Sequence, residues 1–451
     1  MSDALHGPTL KPLRSLGHAE KYSTTRSHLG IYLNVGLTAR YKRPSGVSVK
    51  PALFHALKIL ISKHPILSAI PLACETRNPY FARLPQIVLS EVVTFVEEDT
   101  SRSSLAWQEN LDKDLEEQHN RPFVVQPSGA LPFWRIRVLE SPRSPKSFTL
   151  VLIFHHSLMD TKSALSFHDE LEGYMAHYGG GDPSDTVDEF PGALTPPLEH
   201  LYSLPISQEF QRSQELNSKP SPDSWTAGPQ SIPVMTRFSS LWLSTVDTKL
   251  LIELSRREQT SVTAALQTLI STCIFAVLPS RYHTLQADCA VSLRKFLPDS
   301  VNADTLGCYV GSSSTTYHRM PSFDWDEARR TKIAIERTMA RKGADMPVGF
   351  LAFIPNQHDW MSQKLGRQRL SSFELSNIGT CSTSRGGLRF EIESLLFSQS
   401  SSACSAAIKI SAVTGRDGRL ALGFTWQEGI VQGDMIEQIK KAFKIEIARL
   451  T

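Results

Sequence analysis

Phe148-Thr149-Leu150-Val151-Leu152-Ile153-Phe154 is the stretch that most narrows the folds open to this chain. An apolar run that short and unbroken reads as a strand buried on both faces. It delivers His155-His156-Ser157-Leu158-Met159-Asp160, after which the period changes. Ala164, Phe167, Leu171 and Tyr174 or Met175 recur at helical spacing, with Asp160 at the N-cap position. Both histidines therefore fall on the turn between a core strand and an amphipathic helix, where a side chain is rigid and still reachable. An imidazole there can take a proton from an alcohol or an amine near neutral pH. Asp160, four residues past His156, can orient or charge-balance the turn. The plainer alternative is a pair of hydrogen-bonded histidines that end a strand.

The block His155-His156-Ser157-Leu158-Met159-Asp160 after a hydrophobic strand resembles the HHxxxD signature of the CoA-dependent acyltransferase superfamily, which includes chloramphenicol acetyltransferase, plant BAHD enzymes and nonribosomal peptide condensation domains. Within it the chain is most similar to the fungal alcohol acetyltransferases. Members often have Gly after the Asp; this chain has Thr161, a departure that bears on the tightness of the turn more than on a general base.

With 451 residues the chain is long enough for two core-bearing lobes. Hydrophobic residues at 41% and charged residues at 21% exclude a disordered or fibrous class. A net charge of +3 is too small to suggest a nucleic-acid partner, although an anionic co-substrate would be welcome. The six cysteines are scattered without a C-x-x-C pair, so neither a zinc site nor a disulfide framework is expected. Met1 to Lys21 lacks an apolar signal core, and no run approaches the length of a membrane span. A cytoplasmic protein with reduced thiols is expected.

Along the chain, Leu13 to His18 opens the ordered part, and Ile31 to Val35 reads as a short strand. Val49 to His64 is an amphipathic helix with Ser48 as its cap, stopped by Pro65. His64 is expected to be structural and His18 a surface residue. Val88 to Val96 reads as a strand and Ser104 to His119 as a polar-faced helix. Pro132 to Leu139 alternates, with Arg135 and Arg137 opposite Trp134, Ile136 and Val138. This predicts a half-exposed strand paired to the His-bearing one across Ser141 to Pro145. From Gly179-Gly180-Gly181-Asp182-Pro183 to about Pro233 the periodicity fails, which marks a loop-rich crossover with one helical turn near Leu198 to Leu204.

The second half restarts with a strand, Arg237 to Leu243, and helices over Val246 to Arg257 and Val262 to Val277, the latter starting near Thr263. Cys289 to Arg294 is a second apolar strand, followed by Gly307-Cys308-Tyr309-Val310-Gly311. This combination resembles the superfamily's block of strand, Arg and Gly-x-Tyr-Val-Gly. The resemblance implies that Arg294 pairs with Asp160. Trp325 to Lys342 is a basic helix, read as a solvated face. Phe373 to Gly379 contains Ser376-Asn377-Ile378-Gly379, similar to the S-N-x-G strand end of the fungal family. A hydroxyl and an amide there can donate to an oxyanion or simply form a turn. Leu388 to Phe397, Ala406 to Val413 and Leu420 to Trp426 read as a meander, with a hairpin at Arg416-Asp417-Gly418. Asp434 is placed as the cap of a final helix, Met435 to Leu450. The plant D-F-G-W-G sequence, G-x-G-x-x-G, Walker, G-x-S-x-G and H-E-x-x-H motifs are absent.

The resemblance spans about Leu13 to Leu450 and implies an α/β (α+β) fold of two chloramphenicol-acetyltransferase-like lobes, each a mixed sheet flanked by helices. Their expected limits are residues 1–180 and 236–451, with 181–235 as crossover and the active-site channel, open at both ends, between the lobes. It further implies transfer of an acetyl or other short acyl group from acetyl-CoA, without a metal, to a hydroxyl or amine of a small secondary metabolite. His156 is then the general base, with Asp160 beside it as catalytic, His155 and Arg294 supporting, and Ser376 and Asn377 at the oxyanion. A monomer without a nucleic-acid partner is expected. Still open are a condensation-like enzyme fed by a carrier protein, a cyclisation catalyst, and a non-catalytic binding protein of the same fold.

Overall fold

A computed structural model of the protein describes residues 10–97, 104–126, 129–142, 144–181, 184–216, 219–302, 304–381 and 389–450. Asp182, Pro183 and Leu388, assigned above to the crossover and a strand, lie outside these residues. The first half contributes strands β1 (Val35–Lys42), β2 (Val93–Glu97), β3 (Trp134–Glu140) and β4 (Ser147–Phe154), with helices α1 (His18–His28), α2 (Val49–Lys63), α3 (Ser104–His119) and α4 (Thr161–Ala176). The second half contributes β5 (Thr236–Trp242), β6 (Thr284–Ser292), β7 (Val310–His318), β8 (Phe373–Thr380), β9 (Glu391–Gln399), β10 (Ile408–Thr414) and β11 (Leu420–Gln427). Its helices are α5 (Thr245–Arg257), α6 (Val262–Val277), α7 (Trp325–Ala340), α8 (Gln357–Ser362) and α9 (Gly433–Leu450). Two mixed sheets result, ordered β9-β1-β4-β3-β2 and β5-β11-β10-β8-β6-β7.

Strand β4 is central in its sheet and all eight of its residues are buried, as the apolar run requires. Each large side chain so buried contributes about 1.5–3 kcal/mol, which makes this strand the most firmly placed support for a following turn. Its partner β3 alternates as expected. The strand is not half-exposed, however, because α3 covers its arginine face. Arg137 pairs with Asp114 at 2.7 Å, and Arg135 Nε donates to Gln118 Oε1 at 2.8 Å.

Other expectations change at their edges for identifiable reasons. Residues 31–34 are loop, and β1 begins only at Val35, where pairing with β4 starts. Val88 to Val96 is broken by a helical turn, Leu89–Val92, so β2 is short. Ser261, not Thr263, caps α6, accepting from Ala264 N. Asp434 lies inside the first turn of α9 and not before it. Helix α1 has no apolar stripe, because its buried face is Ser23, Thr24, Thr25 and Arg26; periodicity could not find it.

The largest correction concerns the meander. Strands β10 and β11 do form the hairpin, but β9 leaves them and pairs antiparallel with β1, from Glu391↔Lys42 to Gln399↔Val35. The second half thus supplies the edge strand of the first half's sheet, so 236–451 is not one contiguous lobe. Strand β9 packs against β10 and β11 across the interface. Gly423 sits at the closest approach, where an added Cβ would lie 2.5 Å from the Phe397 carbonyl oxygen and 2.8 Å from the Phe238 ring. Gly423→Ala should therefore lower stability by about 1–3 kcal/mol in urea denaturation, whereas unchanged stability would show that the sheets can separate there.

Candidate active site

The turn is built by closing the β3–β4 ladder one residue beyond the strand. His155 N donates to Phe133 O at 2.9 Å, and Leu158 N returns to His155 O at 3.0 Å. His155 is buried, with Nδ1 2.7 Å from Ser157 Oγ and accepting from Ser157 N at 3.1 Å. Burial pushes its pKa down to about 3, so it is a neutral support inside the turn.

His156 is different. It is only partly buried, and its Nδ1 lies 3.2 Å from the Met159 carbonyl. A carbonyl can only accept, so Nδ1 carries the proton and the lone pair is left on Nε2. Burial, reinforced by the nearby Arg26 guanidinium and opposed by Asp160, pushes this imidazole down to about 4. It is therefore an unprotonated base at neutral pH. Cys308 Sγ stands 3.7 Å from Nδ1. Burial raises the thiol far above its ordinary range, so it stays protonated.

Asp160 makes no hydrogen bond to the imidazole. Oδ1 accepts from Ser163 N at 2.9 Å as the N-cap of α4. Oδ2 accepts from Arg294 Nη1 at 2.6 Å and from Tyr309 N at 3.0 Å. Although burial alone would raise its pKa, the guanidinium and the two N–H groups hold the carboxyl below its ordinary value. Arg294 Nη2 also donates to Ser163 Oγ at 2.7 Å, and Asp160 N donates to Gly307 O at 3.0 Å. Arg294 thus clamps the histidine turn of one half to the 294–309 segment of the other. Thr161 is the first residue of α4; that position asks for no left-handed backbone, so a glycine is not required.

Ser376 and Asn377 do not converge. Alternation along β8 puts them on opposite faces, and Asn377 Nδ2 donates to Thr263 Oγ1 on α6 at 3.0 Å. Ser376 shares its face with Glu374, Lys409 and Ser411, the last two in register with Glu374 and Ser376. That face meets the first sheet: Lys409 Nζ donates to Glu374 at 3.0 Å and to Gln399 at 3.3 Å, and Gln399 donates to Ser411 at 3.0 Å. The motif-based reading missed this cluster. Tyr32 joins it to the site, its hydroxyl donating to Gln399 Oε1 at 3.2 Å and its ring centred 6.2 Å from that of His156. Arg26 packs over the same ring at 4.5 Å. A lysine between Ile408 and Ile410 in an apolar strand was the one available signal.

His64 and His18 stay outside the turn. His64 Nε2 lies 3.1 Å from both Glu170 oxygens and ties the end of α2 to α4, while His18 lies 3.8 Å from Glu199. A cavity of about 280 Å³ near the turn is bounded by Glu20, Ile66, Leu158, Leu198, Asp304 and Cys308 among others. It reaches the Nδ1 side of His156 through Cys308. Among the described residues no cluster of three metal-ligating side chains occurs, and no single helix is long and apolar enough to cross a membrane.

Breaking the clamp leaves a buried charge unpaired. Arg294→Met should cost about 3–5 kcal/mol in stability and reduce any His156-dependent activity together with it; a variant of undiminished stability would contradict the clamp.

The chain matches the family model described as alcohol acetyltransferase over residues 15–444. It is 32% identical to the probable alcohol acetyltransferase crmB of Aspergillus fumigatus, over 95% of this chain and 97% of that protein. It is 23% identical to the probable alcohol acetyltransferase FCK4 of Fusarium pseudograminearum, over 98% and 96%. Among solved structures it resembles the TRI3 trichothecene 15-O-acetyltransferase of Fusarium sporotrichioides, with a TM-score of 0.71 at 11% identity and full coverage of both chains. It also resembles the first condensation domain of the CDA synthetase, with a TM-score of 0.66 at 13% identity over 97% and 96%. The two structures share the fold, with its two mixed sheets flanked by helices. With the family model matched almost end to end and a histidine turn built as its signature implies, the chain belongs to the alcohol acetyltransferase family.

Proposed function

We propose that this acyl-CoA-dependent O-acyltransferase moves an acetyl group from acetyl-CoA to a hydroxyl of a small fungal secondary metabolite, with His156 as general base. The observation that carries this reading is the Nδ1–H···O=C bond to Met159, which leaves Nε2 basic. Nε2 takes the hydroxyl proton as the acceptor oxygen attacks the thioester carbonyl. The tetrahedral oxyanion then collapses, the C–S bond breaks, and the proton passes from His156 to the departing thiolate. No acyl-enzyme is required. Asp160 and Arg294 position the turn, His155 supports it, and Ser376 is the remaining candidate donor to the oxyanion.

The 280 Å³ cavity lies on the Nδ1 side of His156, so it is not where the acceptor hydroxyl meets the Nε2 lone pair. Glu20, Glu199 and Asp304 line it, Arg14 is already tied to Glu20, and Lys63 to Glu170. With Glu20 neutralised by Arg14, the carboxylates of Glu199 and Asp304 disfavour phosphate groups there.

His156→Ala should reduce acetyl transfer by at least about 10²–10⁴-fold, followed as free thiol released from acetyl-CoA with a panel of alcohols, with the melting temperature nearly unchanged. Equal turnover by the variant would end the general-base assignment. Because the imidazole titrates at about 4, kcat/KM should hold its plateau on acidification to about pH 5 and halve near pH 4. A profile already halved near the ordinary histidine value of about 6.5 would contradict it.

A further inference from the structure

Arg26, on α1, is buried without a counter-ion. Among the described residues its guanidinium makes neither an ion pair nor a hydrogen bond, and its Nε is enclosed without a partner. What holds it is aromatic: the guanidinium carbon stands 4.1 Å from the centre of the Tyr22 ring and 4.5 Å from that of Tyr32. Helix α1 runs between the 280 Å³ cavity and a second one of about 320 Å³, bounded by His18, Thr25 and His358 among others, and Arg26 lines neither. A charge kept from water and from any carboxylate costs free energy that two aromatic faces only partly offset. A group left in that state calls for a reason outside stability.

The reason lies beyond Tyr32, whose ring packs beside His156 with the two centroids 6.2 Å apart. The other charges around that imidazole are matched. On its own turn Asp160 is bound by Arg294, and His155 is neutral. From β10, Lys409 stands 5.0 Å from the centre of the Tyr32 ring but is paired with Glu374 of β8. From α1, Glu20 is paired with Arg14, and from the 294–309 segment Cys308 presents a protonated thiol. Tyr32 itself is an un-ionised phenol whose hydroxyl is committed to Gln399. Around Arg26, Lys364 and Cys404 add a second cation and a neutral thiol. One positive charge is therefore left over beside His156, and in a poorly screened interior it is felt at the imidazole. It opposes an imidazolium. A ring that has taken the acceptor's proton is then raised in free energy and gives it up readily to the departing thiolate, while an idle ring stays unprotonated in mild acid.

We infer that Arg26 is a positioning residue for the reaction: held between Tyr22 and Tyr32, its unpaired guanidinium keeps His156 in the neutral, proton-accepting form. The inference rests on the general-base reading above, but its test reads the ring and not turnover, so either can fail alone. The full chain, labelled at the histidine Cε1 positions, is titrated by NMR, with His156→Ala identifying the signal. At about pH 5 the parent ring should be roughly one-tenth protonated, because its midpoint is about 4. Arg26→Met removes the charge and fills the aromatic slot; it should raise the midpoint by about one pH unit and leave the ring about half protonated at about pH 5. Arg26→Lys keeps the charge, and its midpoint should stay within about 0.3 of the parent. The methionine variant should melt no lower than the parent, since it takes an unpaired charge out of the interior; should it not fold, Arg26→Gln carries the same expectation for the midpoint. An unmoved midpoint in the uncharged variant, or equal shifts in the methionine and lysine variants, would reduce Arg26 to a packing residue and leave the general base in place. A parent midpoint near the ordinary histidine value of about 6.5 would also overturn the inference, since the ring would not be held neutral.

Discussion

Everything at the active turn depends on one buried carboxylate having no freedom to move. Asp160 is an anion taken out of water, a state that persists only when each oxygen is met by donors. The first oxygen closes the N-terminus of α4 through Ser163 N, where the helix dipole also favours it. The second is shared between Arg294 and Tyr309 N, both from the other half of the chain. Its own N–H is spent on Gly307 O. With that residue held from four directions, the preceding Met159 carbonyl is fixed as well, and it is this carbonyl that decides which nitrogen of His156 keeps its proton. Asp160 thus bears on the proposed general base through geometry and not by touching the imidazole.

The two halves are correspondingly hard to separate. Helix α4 is pinned at its start by Arg294 and again farther along by Arg416, from the β10–β11 hairpin, which pairs with Asp169 at 3.0 Å and with Glu172. Strand β9 goes further and joins the first sheet outright. The facing surfaces of the two sheets are then held in register by Lys409, Gln399 and Ser411, directly beyond Tyr32. A site assembled in this way is more precise than one carried on loops, because its supports are ladder bonds and buried ion pairs.

Much of this was legible from sequence because the decisive signals were local. A strand buried on both faces, a change of period at a cap residue and a helix stripe are each written in consecutive residues, so β4, the turn and α4 could be placed. The Arg294 to Asp160 pair came from resemblance and is confirmed by distance. What escaped was non-local or unpatterned. Strand β9 has the same apolar character whether it pairs with β10 or with β1, and only the packed structure decides. Helix α1 buries serines, threonines and an arginine, so no hydrophobic period marks it, yet it supplies Arg26 and divides the two cavities. Ser376 and Asn377 were read as one motif, but strand alternation turns them apart.

The central claim is that the buried clamp imposes one tautomer on a neutral His156. Two-bond proton–nitrogen correlation spectra of the histidine-labelled protein at neutral pH measure this directly. The account predicts a His156 ring with the proton on Nδ1 and an unprotonated Nε2. A ring carrying its proton on Nε2, or an imidazolium with both nitrogens protonated, would contradict it.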